Sequence, residues 1–210
     1  MDDIKYYGMH RALVLSTDVL EDDNIGRLKL EIYPMLISSH ANGSAARLRA
    51  AGSNIDGIAL DDLPWAVPAT GLFVGSGSGF GNFAMPSVGS FVWVFFEGGD
   101  IYQPVYFAEA PTKTLGLPTE RATNYPTRKV LKTKNGIIIE IDDTTDSEEI
   151  KITHPAGTTV QIDSSGKLNI VVGDDSTIAV AGDASISVSG TTSVSSTGNL
   201  SVTAPRIDLN

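Results

Sequence analysis

Residues 170–205 read IVVGDDST IAVAGDAS ISVSGTTS VSSTGNLS VTAP when cut every eight positions. Ile170, Ile178, Ile186, Val194 and Val202 open the octads. Val172, Val180, Val188, Ser196 and Ala204 form a second column two places later, and Gly182, Gly190 and Gly198 a third. Branched residues alternating with Ser, Thr and Asn give the period of a strand with one dry face. The glycine supplies the bend from which the next strand starts. A repeat of fixed length dictates architecture, so it is read before the rest of the chain.

Eight extended residues span about 26 Å at roughly 3.3 Å each. A hollow coil wound by one chain needs several faces per turn, and one octad supplies one face. Alone, the segment offers water a narrow strip of Ile and Val. Three copies are the smallest number that encloses a core, and each buried Ile or Val then contributes roughly 1.5–3 kcal/mol. The repeat therefore predicts an intertwined triple-stranded β-helix over residues 169–210, formed by a homotrimer. Its core is Ile170, Val172, Ile178, Val180, Ile186, Val188, Val194 and Val202. The competing readings are a disordered Ser/Thr/Gly-rich tail and a single-chain solenoid with short rungs. A disordered tract does not keep an in-phase column of β-branched residues.

The 210 residues have room for one ordinary domain and an appendage. Every Phe, Tyr and Trp lies at or before Tyr125, and the last Met is Met85. The front half can build an aromatic core; the back half must use something else. Without cysteine, disulfides and thiolate chemistry are excluded. No run approaches the roughly 18 apolar residues of a membrane span, and Met1-Asp2-Asp3 is unlike a signal peptide. The net charge of −10 divides into −7 over residues 1–112, +5 over 113–134 and −8 over 135–210. Two acidic regions argue against a nucleic-acid binder, whose affinity rests on neutralising phosphates. The basic stretch between them is either solvated or docked on an acidic neighbour.

In the front domain, residues 11–17 (RALVLST) and 27–33 (RLKLEIY) alternate as strands, joined by a turn that carries Glu21-Asp22-Asp23. A polar excursion over residues 38–62 follows, with one short helix near residues 45–51. Residues 63–68 are extended, 71–82 form a Gly-rich loop, and 90–97 (SFVWVFFE) and 103–109 (QPVYFAE) are strands. Five or six short strands in about 105 residues fit a small closed Greek-key barrel.

Several motifs in order then carry a resemblance. Leu63-Pro64-Trp65-Ala66, the Gly-rich loop, Met85-Pro86-Ser87-Val88-Gly89, Val92-Trp93-Val94, Phe96-Glu97-Gly98-Gly99-Asp100 and Gln103-Pro104-Val105 resemble the OB-fold of gpV-like phage baseplate spikes and the related VgrG spikes of type VI secretion. Asn135-Gly136-Ile137 through Thr144, Glu149-Ile150-Lys151-Ile152, His154-Pro155-Ala156-Gly157-Thr158 and Val160-Gln161-Ile162-Asp163 resemble the neck that follows this barrel. The resemblance covers about residues 8–205 and implies an all-β chain: an OB-fold over 1–112, a linker over 113–129, a β-strand neck over 130–168 and a β-helix needle over 169–210.

It further implies a structural protein of the virion tail baseplate, assembled in the host cytoplasm. That protein anchors to a baseplate hub protein and pierces the host outer envelope when a contractile sheath fires. Two departures narrow it. T-even spikes carry a lysozyme domain between barrel and needle, whereas residues 113–129 are too few for any enzyme domain. Shorter relatives end in a metal tip with paired histidines; here His10, His40 and His154 all precede the final 56 residues. Neither cell-wall hydrolysis nor a metal tip is implied, and a separate tip protein is expected to cap Ile207 and Leu209.

Other motifs read blandly. Gly79-Phe80-Gly81-Asn82-Phe83-Ala84 matches a loose dinucleotide fingerprint, but Pro86 and a strand follow it where a helix is required. No nucleophile elbow, zinc-protease motif or phosphate loop is present. Asp142, Asp143, Asp146, Glu148 and Glu149 lack EF-hand spacing and read as a solvated hairpin turn. They also lack the aromatic cleft of a glycosidase. His154, before Pro155, reads as a surface residue, and Trp93, in the most apolar run, as core. No catalytic, cofactor or metal residues are assigned, and no cofactor is expected. The runner-up function is an OB module binding nucleic acid or glycan through Trp65 and Trp93, with a Ser-rich tail; a cell-wall hydrolase is a third.

Overall fold

A computed structural model describes residues 4–19, 24–52, 55–71, 75–113 and 116–207. The acidic turn expected at Glu21–Asp23, residues 72–74 of the Gly-rich loop and the terminal Leu209 lie outside them. Among the described residues no helix is long and apolar enough to cross a membrane.

The front of the chain closes into a five-stranded barrel of order β1-β2-β3-β5-β4, the architecture of an OB-fold. Its strands are β1 His10–Thr17, β2 Leu28–Glu31, β3 Trp65–Pro68, β4 Phe91–Phe96 and β5 Pro104–Glu109. The ring closes because β1 pairs with both β2 and β4, with register shifts at Val14/Ser16 and Trp93/Val94 that curl the sheet. All pairs are antiparallel except β3 with β5. Val14, Leu28, Leu30, Ile32, Leu63, Val92 and Val94 fill the interior. The Tyr106 hydroxyl crosses it to donate to the Gly26 carbonyl at 2.6 Å. Burial first, and the Asp18 charge second, push this phenol up to about 12.

Strand β4 corrects one expectation. Its burial alternates: Val92, Val94 and Phe96 point inward, so Phe91, Trp93 and Phe95 lie on the outer wall. Trp93 is therefore not core; the Arg11 guanidinium covers it at 5.3 Å from the ring centroid. Trp65 is covered likewise, by Lys29 at 4.5 Å and Arg27 at 5.1 Å.

The long excursion between β2 and β3 carries the expected helix, α1 Ser44–Ala50. Two buried charges tie it to β2. The Glu31 carboxylate accepts from the Ser38 and Ser44 amides at 3.0 and 2.6 Å and from the Ser44 hydroxyl. The Lys29 ammonium donates to the Asp61 carbonyl at 3.1 Å and to that of Leu63. Such charges are tolerable in an interior because their hydrogen bonds replace water.

The second half is an antiparallel meander of five strands in the order β10-β9-β8-β7-β6. They are β6 Arg128–Lys132, β7 Ile138–Asp142, β8 Glu149–Thr153, β9 Thr159–Ile162 and β10 Leu168–Val171. Among the described residues no strand follows Val171.

Gly57 tests how tightly the excursion packs. A Cβ there would lie 2.5 Å from the Ser38 carbonyl carbon and 2.7 Å from the Ala45 Cβ. Gly57→Ala is expected to destabilise the barrel by about 1–3 kcal/mol through overpacking. A lower urea midpoint in tryptophan fluorescence checks this; an unchanged midpoint means that the excursion yields freely.

Candidate functional site

Side chains on a strand alternate between faces, so the register of the meander sorts its residues. Leu131, Ile139, Ile152, Val160 and Ile170 stand opposite one another in one row. Lys129, Ile141, Ile150, Ile162 and Leu168 form a parallel row on the same face. Nine of these ten residues are large and apolar, and all nine are exposed in the single chain.

The other face is polar. Arg128, Asp142 and Glu149 share a row there, and Val130, Glu140, Lys151, Gln161 and Asn169 share the next. Arg128 reaches Glu140 at 2.9 Å, Asp142 at 3.0 Å and Glu149 at 3.7 Å. Asp142 further accepts from the Thr144 hydroxyl at 2.6 Å and from Asn124 at 2.8 Å. The Thr144 hydrogen bond leads the causes that hold its carboxyl below the usual range, with Asn124 and Arg128 adding to it. The acidic cluster is thus not wholly a solvated turn. Asp142 and Glu140 are buried, while Asp143, Asp146 and Glu148 stay on the surface. Three of the six basic residues of 113–134 are ion-paired: Arg128 in this cluster, Lys129 on Asp143 and Lys132 on Glu120 of the same stretch.

This burial pattern inverts that of an ordinary soluble sheet, in which apolar side chains are covered and carboxylates face water. Glu140 and Asp142 are buried while Ile139 and Ile141 beside them are not. Among the described residues the single chain supplies no cover for that face.

The octad segment has the same character. Ile170 lies in β10, and Val172, Ile178, Val180, Ile186, Val188, Val194 and Val202 follow along the extended chain. All eight are exposed, Ile178 at 90% and Ile186 at 88%. The chain gathers none of the later seven into a core of its own. Among the described residues, no backbone–backbone hydrogen bond joins residues 174–205 to one another.

Of these nine apolar residues only Ile170 is among the core residues that the repeat predicts. Their signal is present in RKVLK, IIEID, EIKIT, TVQI and LNIV, where apolar and polar residues alternate. Only the register shows that these short patterns share a face.

Elsewhere little chemistry converges. A cleft of about 800 Å³ between barrel and neck has Tyr106, Glu109, Lys132 and Lys134 as its ionisable lining. The Gly79–Ala84 motif lies in an exposed loop with no helix after it. His154 caps its own turn, its Nδ1 accepting from the Ala156 amide at 3.2 Å. Among the described residues no three His, Asp or Glu side chains are placed to hold a metal ion.

Residues 42–109 match the family of the Type VI secretion system/phage-baseplate injector OB domain. No curated protein matches the chain. The match falls on the closed barrel and supports the gpV-like baseplate spike assignment that the motifs suggest, with a structural role in the baseplate.

The depressed Asp142 carboxyl makes neck stability depend on pH. A group whose folded pKa lies below its unfolded value of about 3.9 contributes stability above that value and loses it as pH falls further. Thermal melts by circular dichroism are expected to drop between pH 5 and pH 3. Asp142→Asn is expected to melt lower at pH 6 and to show a smaller drop. An equal drop in both proteins would remove Asp142 from the account.

Proposed function

We propose that this gpV-like chain is the homotrimeric spike of a contractile baseplate, working by mechanics and not by catalysis. The barrel anchors to a hub protein, the meander is the neck, and residues 169–210 form an intertwined triple-stranded β-helix needle. Sheath contraction drives that needle through the host outer envelope.

One observation carries this reading. An injector-type barrel is joined to a segment whose regularly spaced Ile and Val are exposed and in which, among the described residues, no backbone–backbone hydrogen bond joins residues 174–205 to one another. Unpaired strands attract other strands, and three copies wound together leave no free lateral edge. Small Ser and Thr outside keep the shaft slim and wettable. Ile207 lies at its far end, beside the position a separate tip-capping protein would occupy.

The nucleic-acid or glycan module is disfavoured, because Arg11 lies over Trp93 and Lys29 and Arg27 over Trp65. The acidic barrel also repels phosphates.

Negative-stain imaging of the purified full chain is expected to show a globular head with a thin rod. Ile178→Asp and Ile186→Asp each place three carboxylates on one axis, a burial that costs on the order of 3–5 kcal/mol. The rod is expected to fray from the substituted octad onward. A rod of full length in both variants would refute this packing of the needle.

A further inference from the structure

We infer that residues 117–127, between barrel and neck, are a strap fastened across the polar face of the neck sheet, so that this connection works as a fixed joint and not as a hinge. The Asp142 carboxylate is its buckle. The inference goes beyond the spike reading: it concerns contacts within one chain and holds whatever the number of copies.

Two parts of a chain joined by a linker ordinarily move against each other unless something holds them. Here the path is held at successive points. Ala110 is buried and donates its amide to the Phe91 carbonyl at 2.8 Å, which fixes the start of the path to the barrel. At Gly116 the chain has folded back on itself, since a Cβ there would lie 3.2 Å from the Pro111 Cα. A short 3₁₀ turn, Thr119–Ala122, follows, and Arg121 closes it by donating to the Pro118 carbonyl at 2.7 Å. Within that turn the Glu120 carboxylate meets the Lys132 ammonium at the end of β6.

Asn124 is where strap and sheet lock. Its backbone is left-handed, with φ at 56°, a conformation that Asn tolerates better than most residues. Its carbonyl accepts the Thr127 and Arg128 amides at 2.9 and 3.1 Å, and its side-chain amide donates to Asp142 at 2.8 Å.

Asp142 gathers four donors on two oxygens. One oxygen accepts from Asn124 and from the Arg128 Nε at 3.0 Å. The other accepts from the Thr144 amide at 3.0 Å and the Thr144 hydroxyl at 2.6 Å. One carboxylate thus ties together the strap, β6 and the turn after β7. It is 2% exposed, so water does not replace a bond that is lost, and bonds to a charged acceptor are the strong ones. Thr127 adds a second fastening, its hydroxyl 2.6 Å from that of Thr144. A connection held at these points hands a push from barrel to neck, where a loose tether would fold under it.

Trypsin reads the strap on the full chain, because Arg121 is the one basic residue between Lys113 and Arg128. Cleavage there requires the strap to leave the sheet. The native wild type is expected to be cut after Arg121 roughly a hundredfold more slowly than the urea-unfolded chain. Asn124→Asp keeps the left-handed turn and the side-chain shape but sets a second carboxylate against Asp142. It is expected to speed this cleavage roughly ten- to hundredfold, with hydrogen exchange in β8 and β9 unchanged. Asp146→Asn, which removes an acid that does not touch the strap, is expected to leave the rate as it was. Wild-type cleavage at the unfolded rate would overturn the strap. An unchanged rate in Asn124→Asp would overturn Asp142 as its buckle, and an equal rise of exchange in β8 would show that the strap does not open as a unit of its own. Slow wild-type cleavage in a protein that forms no rod would uphold the strap and remove the spike reading.

Discussion

An apolar β-surface that a single copy cannot cover is the constraint on which the rest of this molecule depends. Half-exposed Ile and Leu over five strands, and nearly bare Ile178 and Ile186 beyond them, leave far more apolar surface in water than a lone soluble chain sustains. Fully covering one such side chain stabilises by roughly 1.5–3 kcal/mol, and a spike would have many in register. The same strands need backbone partners, and an extended eight-residue unit cannot fold back to provide them. The proposed trimer would meet both demands, with further copies around a shared axis.

The barrel obeys the opposite rule. Its ring of five strands has no free edge, its interior is filled by its own Val, Leu and Ile, and its long excursion is secured by Glu31 and Lys29. The chain thus closes its barrel by itself and leaves the apolar residues of its neck and octads exposed. The Arg128 cluster stands where the two regimes meet. Its three carboxylates exceed its one guanidinium, and the surrounding Asn124, Thr127 and Thr144 hydroxyls and amide supply the remaining hydrogen bonds. This keeps the polar face of the sheet occupied by the linker, so that the apolar face is the one turned outward.

How far the sequence could be read followed the length of each pattern. The octads repeat often enough that their period stood out, and strand β4 was legible because its apolar run is bounded by turns. Helix α1 was found within a residue of its place. Trp93 was misplaced because a run apolar on both faces does not say which face is inside; closure of the barrel puts Val92 and Val94 there. Asp142 looked like part of a solvated turn, since nothing local announces that Arg128, fourteen residues earlier, lies opposite it. The neck face went unread for a related reason: each strand shows only two or three alternations, and a one-residue error in any turn moves a strand's side chains to the other face.

What the sequence determined by itself was the eight-residue period of residues 170–205, the all-β class and the barrel with its family motifs. These depend on local alternation and on spacing, which survive without any knowledge of the fold. The tertiary structure alone decided which face of each strand is dry, which charges are paired and which are left at the rims. Those depend on register between strands distant in the chain, and register is fixed only when the turns and the ring close.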